Sequence, residues 1–212
     1  MSEGMSLRER KKLRTRHRLL TVATDLFLER GFDQVSVAEI AEAADVSKMT
    51  VFNYFGSKED LICAPLEEHL DDVPRAVRER APGESALAAV RRQFLEALDA
   101  RDASVALSSA PVVLAVRRLI EETPSLLSRA HAYSIRTRDR LAEVLADEGE
   151  DAVEARIVAA QLIATRSALV REIRVRILAG ADAEALAPEA VRLAERGFAL
   201  LETGLGGFAT RR

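Results

Sequence analysis

The chain has 212 residues, of which 48% are hydrophobic and 31% charged, enough to bury a core beneath a polar surface. The absence of Trp, 7 Phe, 2 Tyr and recurrent Ala and Leu argue against a β-sandwich or barrel, and one cysteine, Cys63, excludes an internal disulfide or a multi-cysteine zinc site. The net charge of −3 excludes a basic coat over the whole surface, yet Met1–Leu19 carries seven basic residues against Glu3 and Glu9, a local +5 that leaves −8 for the rest.

That first stretch reads as a basic flexible arm over residues 1–15, suited to a polyanion at one end of an acidic body. Helical periodicity follows. Leu19, Val22, Ala23, Leu26 and Phe27 form one apolar stripe, and Gly31 supplies a stop. Ser36-Val37-Ala38-Glu39 fits a capping box and opens a short helix over 37–44, with Val37, Ile40, Ala41 and Ala44 inward. Asp45 suits a left-handed turn. Ser47 caps a third helix over 48–55, and Ser57-Lys58-Glu59-Asp60 repeats the capping-box pattern before a fourth.

Helix is expected from 59 to about 80, interrupted near Pro65 and Pro74, with a linker at Ala81-Pro82-Gly83-Glu84. Further helices are expected over 85–100, 112–122, 124–148, 153–179 and 188–203, the last starting at Pro188. The helix over 153–179 is apolar on two sides. Ile157, Ala160, Ala164 and Ala168 make one stripe; Val158, Leu162, Leu169, Ile173 and Ile177 make another. The last helix adds Val191, Ala194, Phe198, Leu201 and Leu205. Such faces either pack internally or meet a second chain. A dimer interface is expected at Leu162, Leu169, Ile173, Val191, Phe198 and Leu201.

Residues 36–54 are a helix-turn-helix candidate. The second helix can bury Val51 and Phe55 while projecting Lys48, Met49, Thr50, Asn53 and Tyr54. Lys and Thr suit phosphates, Asn a base edge, and Met a thymine methyl. The expected division is therefore a basic arm over 1–15, a helix-turn-helix domain over 16–60, and a larger helical region over 61–212. Other three-helix packings share this pattern without binding DNA.

The run from His17 to Leu61 resembles the N-terminal domain of TetR-family transcriptional regulators. The resemblance lies in Ala23, Leu26-Phe27, Gly31-Phe32, Val37, Ile40-Ala41, Val46-Ser47, Thr50, Phe52-Asn53-Tyr54-Phe55 and Ser57-Lys58-Glu59-Asp60-Leu61. It implies an all-α fold whose C-terminal region binds a small-molecule effector and dimerises. It further implies that Ser36 and Val37 lie near the DNA backbone, that Lys48 and Met49 face bases, and that Thr50 and Lys58 meet phosphate. Asn53 and Tyr54 would lie along the groove. Phe52 stands where the family commonly has Tyr, and Asp45 where it often has Gly. Arg14 and Arg16 are expected to reach the adjacent minor groove.

Polar residues on apolar faces, Tyr133, Ser134, Thr137 and Gln161, together with Phe94, Leu98 and Val113, are the expected effector pocket, although a satisfied buried network has the same pattern. No cofactor or metal is expected: His17, His69 and His131 are scattered, and neither a phosphate-binding glycine loop nor a nucleophile elbow occurs. The expected partners are a double-stranded DNA operator, an unidentified effector and a second copy, with no membrane and a cytoplasmic setting. Two rivals stay open: a helical small-molecule-binding protein or enzyme whose first helices are structural, and an architectural DNA protein without an effector.

Overall fold

The computed structural model describes residues 6–204. Expectations for Glu3 and Leu205 lie outside the described residues. Among those described, regular structure is helical throughout: α1 Leu7–Arg30, α2 Val37–Ala43, α3 Lys48–Tyr54, α4 Asp60–Glu68, α5 Asp72–Arg78, α6 Ala86–Asp99, a 3₁₀ turn Ala103–Val105, α7 Pro111–Glu122, α8 Pro124–Asp147, α9 Ala152–Leu178 and α10 Ala183–Thr203. None of these helices is long and apolar enough to cross a membrane.

Most boundaries follow local chemistry. Ser6, Ser36, Ser47, Ser85, Asp151 and Asp182 each accept a hydrogen bond from a backbone N–H of the following first turn. Pro111 and Pro124 open α7 and α8, where a missing N–H costs nothing. Three expectations change. Residues 7–15 are not an irregular arm but the first turns of α1. The break in the fourth expected helix falls at 69–71, between the two prolines; Pro74 sits in the first turn of α5 and Pro65 inside α4. Helix α10 starts five residues before Pro188, because Asp182 caps it by accepting from the Ala185 N–H at 2.8 Å.

The chain forms two compact units, and the division does not fall at residue 60. The first runs to Pro65 and includes Ala115–Ala130, most of α7 and the start of α8. Its core holds Leu19, Ala23 and Phe27 of α1, Ile40 and Ala41 of α2, Val51 of α3, and Leu61 and Ile62 of α4. Leu126 is also fully buried, and the buried Asp60 receives the Arg129 guanidinium on its carboxylate at 2.6 and 2.7 Å. Ser57 Oγ accepts from the Asp60 N–H at 3.2 Å, the first half of the capping pattern expected there.

The second unit comprises Leu66–Leu114 and the chain from His131 onward. Here α6, α9 and α10 pack together around Phe94 and Phe198, both fully buried and edge-on at 5.9 Å. Gly197 allows close approach of α9 and α10: a Cβ there would lie 3.3 Å from Leu169. Arg80 makes two 2.7 Å bonds to Glu148, tying the segment after α5 to the end of α8.

Leu162, Leu169, Ile173 and Phe198 lie inside this core, with Val191 and Leu201 partly buried against it. The first four are therefore not a surface open to a second chain, while Val191 and Leu201 keep part of their surface accessible. Of the other α9 stripe, Ile157 is 52% accessible and Ala164 and Ala168 are exposed, while Ala160 is half-buried; Val175, in line with them, is 55% accessible, and Val158, from the stripe of Leu162 and Leu169, is exposed as well.

Candidate nucleic-acid interface

The reading head is built from two capped helices and a tight turn. The Ser36 N–H donates to Glu39 Oε2 at 2.8 Å, and the Glu39 N–H donates to Ser36 Oγ at 3.2 Å. The backbone N–H of Ser36, its hydroxyl and the Arg30 guanidinium together hold the Glu39 carboxyl below the usual range. Helix α2 ends where Ala44 is buried and Asp45 takes φ 49°, the left-handed conformation that reverses the chain. The Val46 N–H then reaches back to the Ala41 carbonyl at 2.9 Å. Ser47 Oγ accepts from the Thr50 N–H at 3.0 Å and starts α3.

Helix α3 buries Val51 against the core, as does Phe55 just past its end. Its other flank is bare. Met49 is 68% exposed and Phe52 42%; Lys48 and Asn53 are also exposed, while Thr50 and Tyr54 are half-buried. The Lys48 ammonium lies 5.9 Å from the Phe52 ring centroid. Lys48, Met49, Phe52 and Asn53 thus share one open surface. The flank combines a cation, an amide able to pair with adenine, and two apolar groups suited to base methyls and sugar edges.

Other expected contacts sit differently. The Ser36 hydroxyl is exposed but engaged by Glu39 at 2.7 Å, and Val37 is half-buried. Thr50 Oγ1 lies 2.8 Å from Ser47 Oγ. Lys58 is half-buried with its ammonium 4.2 Å from the Phe32 centroid and 5.7 Å from that of Phe27, a placement on aromatic faces and not out toward solvent. Arg14 and Arg16 project from a helix, and Arg16 packs 5.6 Å from the Phe55 ring. Residue types alone did not signal the stacking of Lys58, nor the Asp60–Arg129 pair, whose members are 69 residues apart.

The residues expected at an effector pocket have different settings. Phe94 and Leu98 are core, and Val113 is half-buried on α7. Tyr133 is buried beneath the Arg136 guanidinium, 4.3 Å from its ring centroid. Ser134 lies 3.3 Å from Ser167, and Thr137 donates to the Tyr133 carbonyl at 3.1 Å. Gln161 is exposed on α9. An open groove of about 390 Å³, lined by Asp72, Arg75, Glu79, Arg92, Gln93 and Glu96 among others, includes none of them. Burial pushes the Cys63 thiol up to about 12, so it stays protonated and unreactive. No cluster of metal-ligating side chains occurs among the described residues.

A short capped helix held across a tight turn from its support, with a polar flank left bare, is a helix-turn-helix of the kind used by DNA-binding regulators. The family profile described as "Bacterial regulatory proteins, tetR family" matches residues 19–64. The chain belongs to the TetR family of transcriptional regulators. It is 35% identical over 150 residues to the HTH-type transcriptional regulator TcmR of Streptomyces glaucescens, covering 70% of this chain and 66% of that protein. It is 38% identical over 64 residues to the HTH-type transcriptional activator FasR of Mycolicibacterium smegmatis, covering 30% of this chain and 29% of that one. A crystal structure of a TetR-family regulator from Streptomyces coelicolor superposes with a TM-score of 0.50 at 25% identity, over 88% of this chain and 96% of the other. These matches thus span about two thirds or less of the curated relatives' length. The named relatives are regulators, not enzymes.

Proposed function

We propose that the protein is a cytoplasmic, ligand-responsive repressor that binds a pseudo-palindromic operator as a homodimer. The observation that carries DNA reading is the bare flank of α3, where Lys48, Met49, Phe52 and Asn53 stand together on a helix anchored by Val51. In this reading Lys48 and Asn53 discriminate bases, Met49 meets a thymine methyl, and Thr50 and Tyr54 reach phosphates from the edge of the flank. Phe52 lacks the hydroxyl of the family's usual Tyr and contributes apolar contact instead.

Dimerisation is assigned to the exposed stripe of α9, Ile157, Ala164, Ala168 and Val175, with Val153 beside it. Residues 157 and 175 are 18 apart, five helical turns, so they share one line along roughly 27 Å of helix. Alanines at its centre permit close helix approach. A two-fold pair presents two α3 helices to a symmetric site.

An effector bound in the C-terminal region would favour a state in which the segment from Glu59 to Arg80, now α4 and α5, is displaced. A 100-fold loss of operator affinity requires about 2.7 kcal/mol of differential binding. Selection of bound duplexes from a random pool tests the reading. A two-fold symmetric consensus is expected, and retention of duplexes without enrichment would instead favour an architectural role. Fusing the selected site to a reporter promoter then separates repression from activation.

A further inference from the structure

Helix α1 extends well beyond the body that it anchors. Its first buried residue is Leu19, while Leu7 through Arg14 are exposed on every side. Twelve residues separate Leu7 from Leu19, an overhang of roughly 18 Å. The end is closed by a capping box in which the Ser6 N–H donates to Glu9 Oε2 at 2.8 Å and the Glu9 N–H donates to Ser6 Oγ at 3.2 Å. Leu, Arg, Lys and Glu favour helix, and extension from an anchored helix needs no new nucleus.

The charge pattern works against that helix in isolation. Between Ser6 and Arg18 there are seven cations and one carboxylate, Glu9, which is engaged in the cap. Arg8–Lys12, Arg10–Arg14, Lys12–Arg16 and Arg14–Arg18 are like-charge pairs at i,i+4, each destabilising. Cations in the first turns also oppose the helix dipole. A polyanion relieves both terms. Arg8, Lys12 and Arg16 furthermore continue the line of Leu19, Ala23 and Phe27, and Arg16 packs on Phe55 at the end of α3. A basic row therefore leads outward from the reading head.

We infer that this overhang is a helical clamp on the DNA phosphates flanking each half-site, and not an arm inserted in the minor groove. A helix with side chains is about 10–12 Å across, and the B-form minor groove is about 6 Å wide. The inference rests on the DNA-reading role proposed above. It differs from that role in needing no base contact.

The test uses the full chain and a duplex selected by the wild type. Arg8, Lys11 and Lys12 are changed together to Gln, which keeps helix propensity. The slope of log affinity against log salt should fall by up to about 2.7 per protomer, so a fourfold rise in salt weakens the wild type about forty-fold more than the variant. The selected sequence should not change. A second variant, Leu13→Gly with Thr15→Gly, keeps every charge but weakens the helix, and should lose flanking backbone protection from hydroxyl radicals. Netropsin bound in the flanking minor groove should leave wild-type affinity unaltered.

An unchanged salt slope, full protection in the glycine variant, or displacement by netropsin would each overturn the clamp while leaving base reading intact. Loss of binding to phosphatidylserine vesicles with an unchanged DNA slope would assign the overhang to a lipid surface and overturn it equally. Failure of the wild type to bind any duplex would overturn both readings.

Discussion

Replacing Lys58 with Met removes a charge and keeps most of the stem's packing. The ammonium stands 4.2 Å from the Phe32 centroid and 5.7 Å from that of Phe27, and the two rings are 5.0 Å apart. A cation over an aromatic face contributes about 0.5–1 kcal/mol when exposed and about 2 when desolvated. Lys58 is half-buried, so the loss should be about 1 kcal/mol, or about 2–4 °C in Tm for a chain of this size. If the ammonium met a phosphate instead, the salt slope of DNA binding would fall by about 0.9. Urea denaturation and anisotropy titrations across a salt series separate the two, with Lys58→Arg as the control that keeps a cation on the rings. The geometry predicts lower stability with an unaltered slope. Unaltered stability with a slope reduced by about one would refute the ring-stacked placement.

Further substitutions test other parts. Asn53→Ala should cost about 1–3 kcal/mol on the selected site and relax base preference, measured against single-base variants of that site; a uniform loss on all duplexes would remove Asn53 from base readout. Ile157→Glu with Val175→Glu should give a monomer by sedimentation velocity with unchanged helicity, since both side chains are solvent-exposed in the chain; a persisting dimer would move the interface off α9. Arg80→Met should destabilise by about 1.5 kcal/mol at neutral pH, because two 2.7 Å charged bonds to Glu148 are lost at a site only partly open to water. Glu148 is held below its usual range by that arginine, so its contribution is present above the unfolded value near 4.5 and disappears as pH falls through the folded value. Urea midpoints measured from pH 7 to 3 should accordingly drop less steeply in Arg80→Met than in the wild type; parallel curves would deny the linkage.

The parts of the fold legible in the chain were those decided by neighbours in sequence. Ser36 with Glu39, Ser47 with Thr50, and Asp45 in its left-handed turn need only a few residues to specify them, and the structure carries all three. Proline was the weaker guide. Pro188 reads as a first helical residue, yet the Asp182 cap begins α10 earlier and carries the helix through it. Periodicity showed that α9 is apolar on two sides but not which side faces its own core. That depends on α6 and α10, which close over Leu162, Leu169 and Ile173 and leave Ile157 and Val175 outside. Lys58 follows the same logic: its sequence position suggests a phosphate, while Phe27 and Phe32, 31 and 26 residues earlier, provide the faces it rests on. The settings of the polar residues expected at a pocket were not legible for a similar reason, since an interrupted apolar stripe looks alike whether it borders a cavity or bonds locally, as Thr137 does to Tyr133.

That α3 reads bases from the major groove, once in each half-site, is tested most directly by guanine N7 methylation protection on a selected duplex. Two patches of N7 protection related by two-fold symmetry, spaced by a whole number of helical turns and lost in Lys48→Ala with Asn53→Ala, are the expected result. A bound duplex whose guanine N7 positions stay fully reactive, or whose protection persists in that double variant, would contradict it.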